Sequence, residues 1–247
     1  PLSKSYLKGE VDKDSILLQK EDFYQKEDID LLLGKKVTEV DPVDKSITFQ
    51  SGEKINWDKL LITTGSKLKR LQNVKGSNLD GIHYLKTLND ANAIKESLDS
   101  LHHLVIIGAG FIGMEIASSL IELGKKVTVI NAGNYPLAHI FGEEVGRYFA
   151  DVHCAKGIDL VANDYVMQFY GDACVSGVQT KNGRKIDCDR VLIGIGVSPN
   201  TSIIDSHLDC NNGILVNEYC ETSIPDVYAA GDCTKWPYHI NNEIIRV

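Results

Sequence analysis

The segment Leu104-Val-Ile-Ile-Gly-Ala-Gly-Phe-Ile-Gly113 narrows the possible folds more than any other stretch of this chain. An apolar run enters a Gly-x-Gly-x-x-Gly turn and leaves it as a helix, the opening of a βαβ unit. Each glycine answers a different need. Gly108 lets the chain turn sharply out of the strand, and Gly110 lacks the Cβ that would keep a pyrophosphate off the backbone. Gly113 lets the following helix pack close to the sheet. The pyrophosphate belongs on the amide-rich start of that helix, where Phe111 and Ile112 form the first turn. Within residues 111–123, Ile112, Ile116, Leu120 and Leu123 recur at helical spacing along one face. Gly124 ends the helix, and Lys126-Val-Thr-Val-Ile130 reads as the second strand.

A dinucleotide's ribose is taken up at the end of that second strand, usually by Asp or Glu. Asn131 stands there instead. Asn hydrogen-bonds a hydroxyl but brings no charge to repel a 2′-phosphate. The next arginine along the chain is Arg147, too far in sequence to suggest a 2′-phosphate site, so NADH is favoured over NADPH.

Bulk properties remove other classes. The chain has 247 residues and a net charge of −8, which argues against a nucleic-acid partner. Its densest basic patch, Lys67, Lys69 and Arg70, reads as a solvated loop. The most apolar window, Leu104 to Leu123, contains the three fingerprint glycines and Glu115, so no membrane span is expected. No signal or transit segment is legible. The six cysteines form no Cys-x-x-Cys and no zinc-ligand spacing, and the seven histidines form no ligand set. They read as reduced thiols of an intracellular protein, cytoplasmic or mitochondrial, with no metal site.

Upstream of residue 80 the pattern is strand-rich, with candidates at 16–18, 36–41, 46–50 and a buried strand at 58–64 ending in Thr64-Gly65-Ser66. A surface helix is expected over 89–99, capped by Asn89 or Asp90, and another over 142–156 with Val145, Phe149 and Val152 on one face. Short strands follow between Ile158 and Val178. Arg190 to Gly196 is a buried strand entering a Gly-x-Gly-x-x-Pro-Asn turn from Gly194 to Asn200. Val227-Tyr-Ala-Ala-Gly-Asp232 is a last buried strand that delivers Asp232 to its tip. A carboxylate there is either a helix N-cap or an acceptor for ligand hydroxyls.

Five motifs in order are familiar: Pro1-Leu-Ser-Lys4, Leu60-Leu-Ile-Thr-Thr-Gly65-Ser66, Gly108 to Glu115, Gly194 to Asn200, and Val227 to Asp232. Together they resemble the FAD-dependent pyridine nucleotide oxidoreductases, in the ferredoxin-reductase and apoptosis-inducing-factor branch. Ser3-Lys-Ser5, Gly142 to Arg147 and the Trp236-Pro-Tyr…Asn241-Asn242 stretch look most like the apoptosis-inducing-factor-like proteins, some of which carry a Rieske domain.

That resemblance implies an α/β protein of two doubly wound, Rossmann-like domains. Residues 1–80 and 211–247 would belong to the FAD domain and 81–210 to the NAD(P)H domain. It implies FAD contacts at Thr64, Gly65, Gly231 and Asp232, and nicotinamide-nucleotide contacts at the Gly108 turn and at Gly194, Ile195 and Gly196. Lys4 and Glu115 match a pair that lies beside the flavin N5 in this branch. There a cation stabilises the negative charge that hydride transfer builds, and the glutamate holds the lysine and meets the nicotinamide. The family's own FAD-binding glycine turn would precede Pro1, and Thr63 stands where alanine is usual. The expectation is therefore a fragment without that turn or the C-terminal domain, its FAD domain incomplete.

The function implied is NADH oxidation through FAD, with electrons leaving to an iron–sulfur protein or a fused Rieske domain, in a monomer or homodimer. Two alternatives stand beside it: a redox-signalling protein that oxidises NADH slowly, and a nucleotide-binding fragment without catalysis.

Overall fold

Short apolar strands build a five-stranded parallel sheet: β1 (Ile82–His83), β2 (His103–Ile107), β3 (Lys126–Ile130), β4 (Asp159–Val161) and β5 (Arg190–Ile193), in the order β1-β5-β2-β3-β4. The computed structural model describes every residue except 205, 206, 209, 239–242 and 247. The Asn241-Asn242 pair named above therefore lies outside the described residues. The chain divides into two compact units, Pro1–Leu18 with Leu68–Gly196, and Gln19–Lys67 with Val197–Val247.

The sheet belongs to the first unit. In its register His103 lies opposite Lys126 and Ile107 opposite Ile130. Successive side chains point to opposite faces, and here both faces are covered. Leu104, Ile106, Val127, Val129 and Leu192 enter one core, and Val105, Ile107, Ile130, Val191 and Ile193 enter a second. Burial on both sides is why these strands read as continuous apolar runs.

Four helices matter here: α1 (Ser5–Lys8), α2 (Leu88–Ser97), α3 (Phe111–Glu122) and α4 (Glu143–Ala155). The first core takes Ile94 of α2, Ile116, Ala117 and Leu120 of α3, and Tyr6 and Leu7 of α1. An antiparallel sheet of Val166–Tyr170, Gly177–Thr180 and Lys185–Asp187 supplies the second core with Val166, Phe169, Val178 and Ile186.

Several local expectations are corrected. Helix α2 is capped by Thr87: its hydroxyl accepts from the Asp90 amide at 3.2 Å while the Asp90 carboxylate accepts from the Thr87 amide at 2.7 Å. This reciprocal pair satisfies two otherwise orphaned donors, with Asp90 acting from the first turn. On α3, Ile112 and Leu123 are 39% and 38% exposed, and the buried stripe runs through Gly113, Met114, Ile116, Ala117 and Leu120. Small residues at Gly113 and Ala117 let the helix lie against the sheet, which tips the larger end residues outward. On α4 the buried residues are Gly146 and Ala150, while Val145 is exposed. The strand expected at 16–18 is a 3₁₀ turn, Asp14–Ile16. The Asp12 carboxylate accepts from the Ser15 amide and hydroxyl at 2.8 and 2.6 Å, and this competes with extension.

In the second unit, Val37–Asp41, Ser46–Phe49 and Lys54–Asn56 form an antiparallel sheet, and Leu60–Ile62 pairs in parallel with Val227–Ala229. Its core gathers Val40, Ile62, Ile204, Ile214, Val227, Ala229 and Cys233. The strand expected over 58–64 is shorter, and only Ile62 of it is buried. The fold is mixed α/β, as expected. The five-stranded parallel sheet lies in the first unit, and the second holds two parallel strand pairs among its described residues, the one just named and Ile214–Leu215 with Thr234–Tyr238. No helix among the described residues is long and apolar enough to cross a membrane.

Candidate functional site

Two glycine turns meet at the carboxyl end of β2 and β5. Gly108 leaves β2 at φ 102°, a conformation L side chains rarely adopt. Its amide donates to Ile130 O at 2.9 Å, and the Gly194 amide donates to Ile107 O at 2.8 Å. A Cβ on Gly108 would run into the Gly194 carbonyl oxygen, and one on Gly113 into the Gly108 carbonyl oxygen. The backbone of one turn thus packs directly on the other. Gly110 differs, because a Cβ there would meet no atom within 4 Å. The space beside it is open, and no side chain caps α3. Orphan amides facing open space at a helix start make an anion-binding end. Phe111 and Ile112 occupy that first turn, with the half-exposed Phe111 ring edge-on to Phe141 at 5.7 Å. Ile195 and Gly196 continue from Gly194, and Gly196 O accepts from the Lys69 amide at 3.0 Å.

Asn131 stands at the end of β3, where its amide donates to Val161 O at 2.8 Å. Its side-chain Nδ2 donates to Gly133 O at 2.9 Å, so part of the carboxamide holds the loop that follows.

Lys4 and Glu115 come together although 111 positions separate them. Lys4 Nζ lies 2.9 Å from Glu115 Oε1. The sequence reading did not name a third participant, Ser3, whose hydroxyl donates to Glu115 Oε2 at 2.6 Å. Burial by itself pushes the Glu115 carboxyl up, but the hydrogen bonds from Ser3 and Lys4 outweigh it and hold the carboxyl below its usual range. Glu115 is therefore an anion at neutral pH, one helical turn from the glycine turn. Ser3 lies in the Pro1-Leu-Ser-Lys4 motif, but no local pattern ties it to Glu115, which is 112 residues away.

In the second unit, Thr64 and Gly65 follow strand Leu60–Ile62, and Gly231 and Asp232 follow its parallel partner Val227–Ala229. The Ser66 hydroxyl donates to Asp232 Oδ2 at 2.7 Å, again a partner unseen in the sequence. Asn200 Nδ2 donates to Thr64 O at 3.0 Å, and the Thr64 hydroxyl donates back to Asn200 O. Among the described residues no helix follows Asp232. The chain runs into strand Thr234–Tyr238, so Asp232 is not an N-cap.

Cys154, Cys174, Cys188, Cys220 and Cys233 are free thiols. Burial pushes the Cys188 thiol up to about 12, which keeps it protonated and unreactive. Among the described residues no three His, Cys, Asp or Glu side chains are grouped to hold a metal ion.

A match to the pyridine nucleotide-disulphide oxidoreductase family runs over residues 1–244. The chain belongs to this family. Family members use FAD and NAD(P)H. Among curated relatives, rhodocoxin reductase of Rhodococcus erythropolis is 35% identical over 100% of this chain and 58% of its own length. The ferredoxin reductase subunit of 5,5'-dehydrodivanillate O-demethylase from Sphingobium sp. is 37% identical over 94% of this chain and 57% of its own. The chain thus spans less than two thirds of these relatives. Among solved structures, the ferredoxin reductase for the CYP199A2 system of Rhodopseudomonas palustris aligns over the whole chain with TM-score 0.94 and 31% identity, covering 61% of that protein. The covalent putidaredoxin reductase–putidaredoxin complex aligns with TM-score 0.94 and 30% identity, likewise covering 61%.

Proposed function

We propose that this chain is the nucleotide-handling part of an NADH-dependent flavoprotein reductase that passes electrons to an iron–sulfur protein. One observation carries the reading: an open, uncapped helix start at Gly110, with the Lys4–Glu115 ion pair one turn further along the same helix. The ferredoxin-reductase names of the relatives, and the putidaredoxin bound in one solved complex, support the choice of acceptor.

FAD held here would supply the redox chemistry, as acceptor of hydride from the nicotinamide and source of electrons for the onward acceptor. The chain's own residues do the positioning. Gly108, Gly110, Gly113 and the amides of Phe111 and Ile112 hold the pyrophosphate, flanked by Gly194, Ile195 and Gly196. Asn131 meets the ribose. Thr64, Gly65, Gly231 and Asp232 would hold FAD, Asp232 as an acceptor for its ribityl hydroxyls. Lys4 counters the negative charge that reduction builds, while Glu115 holds Lys4 and orients the nicotinamide carboxamide.

We assign the flavin part to residues 1–80 and 211–247 and the nicotinamide part to 81–210. The compact units divide at Leu18/Gln19, Lys67/Leu68 and Gly196/Val197, so residues 1–18 and 68–80 pack with the nicotinamide part and 197–210 with the flavin part. No Cys-x-x-Cys supplies an internal dithiol, so the acceptor lies outside these residues. A bacterial-type intracellular setting goes with the relatives' organisms, and they lend no support to a mitochondrial one.

The visible spectrum tests the proposal. Purified chain mixed with FAD should acquire a bound flavin band that anaerobic NADH bleaches. The rival reading, a nucleotide-binding fragment without catalysis, is favoured by the 58% coverage of the first relative. It predicts colourless protein that still binds NADH, and that result would overturn the reductase reading for this chain.

A further inference from the structure

Beyond the ion pair itself, we propose that Ser3 is a positioning residue for Lys4 and Glu115, and that Ser119 anchors Ser3. The proposal rests on the functional reading above and adds to it the part that keeps the pair in one geometry.

A carboxylate on a glutamate has a loosely defined terminal torsion, and Lys4 is a long side chain, 58% exposed. An ion pair between two such groups is weak and poorly fixed. Here the two carboxylate oxygens are divided between two donors. Lys4 Nζ takes Oε1 at 2.9 Å, and the Ser3 hydroxyl takes Oε2 at 2.6 Å. A short serine side chain loses little freedom in doing so, and Ser3 is itself buried, 7% exposed.

Ser3 is held from its other end. The Ser119 hydroxyl, 4% exposed, donates to the Ser3 carbonyl at 2.9 Å. Glu115 and Ser119 are four residues apart on α3 and so share one helix face. That face grips Ser3 twice, at the hydroxyl through Glu115 and at the carbonyl through Ser119. Lys4 follows Ser3 directly, so its backbone is fixed by the same grip. On the far side Leu7 is fully buried, and the Tyr6 hydroxyl donates to Asn92 Oδ1 at 2.6 Å. Lys8 does not compete for Glu115, because it pairs with Glu10 and Glu122 at 2.8 and 3.0 Å. Two buried hydroxyls, each with a specific partner, thus tie the amino-terminal segment to the helix that starts at the glycine turn.

The test needs no flavin. The Glu115 carboxyl carbon is followed by NMR through a pH titration in the chain as it is, in Ser3→Ala, Ser3→Thr and Ser119→Ala. Ser3→Ala removes one of the two donors to the carboxylate and should move its titration upward, and Ser3→Thr should restore it. Ser119→Ala should move it the same way by less. An unmoved titration in folded Ser3→Ala overturns the proposal. If circular dichroism shows that Ser3→Ala does not fold, Ser119→Ala decides: an upward move supports the proposal and no move overturns it. In flavin-loaded protein, Ser3→Ala should slow reduction by NADH about tenfold, the worth of one hydrogen bond to a charged group, with half-saturation for NADH unchanged. A moved titration in a chain that never binds flavin would sink the reductase reading and leave the positioning role standing.

Discussion

Replacing Gly113 by alanine separates two effects that usually act together. Gly113 is a helical residue, the third of α3, so alanine gains about 1 kcal/mol of helix propensity there. Space alone opposes the change. The new Cβ would meet the Gly108 carbonyl oxygen and sit 3.3 Å from Ile106 Cγ2. The carbonyl is backbone, and Gly108 is tied to Ile130 O through its own amide at 2.9 Å, so it cannot swing aside. Overpacking costs about 1–3 kcal/mol, and a rigid obstacle puts this site at the upper end. The net expectation is about 1–2 kcal/mol of destabilisation, together with weaker NADH binding as the start of α3 backs away from the turn. Hydrogen exchange over residues 104–122 during urea unfolding reports on this unit. Both tryptophans, Trp57 and Trp236, lie in the other unit, so their fluorescence serves as an internal control that should not move. Gly110→Ala is the counterpart. Its Cβ meets nothing within 4 Å, so stability should change by less than about 1 kcal/mol while NADH affinity drops. A neutral or stabilising Gly113→Ala would refute the close-approach argument.

Two further outcomes follow from buried groups. His83 Nε2 is buried without a hydrogen-bond partner among the described residues, and burial, then Arg190, push its pKa down. The folded state therefore resists a proton that the unfolded chain takes up near its ordinary pKa of about 6.5. Stability should be flat above that pH and fall as pH drops below it, and His83→Leu should make the fall shallower in urea titrations between about pH 7 and 5. Cys154 and Cys174 are exposed while Cys188 and Cys233 are buried, with the Cys188 thiol pushed up to about 12 by burial. Iodoacetamide should label the first two in the native protein, and the other two only after unfolding. Native labelling of Cys188 would contradict the structure.

Much of the β2–α3–β3 unit was legible because its signals are local. Apolar runs at Leu104–Ile107 and Val127–Ile130 mark strands buried on both faces, and glycine spacing marks the turn between strand and helix. Other readings failed for identifiable reasons. Of the α3 stripe Ile112, Ile116, Leu120 and Leu123, the middle two are buried, while Gly113 and Ala117 take the contact that the two end residues do not, because close packing there favours small residues. Ile16-Leu-Leu18 looked extended, but the Asp12 side chain captures Ser15 and turns the chain. The α2 cap lay one residue before the helix at Thr87, where the reciprocal bond with Asp90 is a property of geometry as much as of composition.

The sequence by itself determined the kind of molecule: a βαβ unit with a glycine turn, an uncharged Asn131 at the end of its second strand, no Cys-x-x-Cys, and five motifs in a family's order. These are short-range patterns, written in the period of strands and helices and in the need for a missing Cβ. Tertiary structure decided which distant residues meet. It brought Gly194 against Gly108, Ser66 to Asp232, and Ser3 to Glu115 across 112 residues. It also joined residues 1–18 to the unit that contains the parallel sheet. No local pattern encodes such pairings, because each depends on where the sheet and its covering helices carry backbone segments that are far apart along the chain.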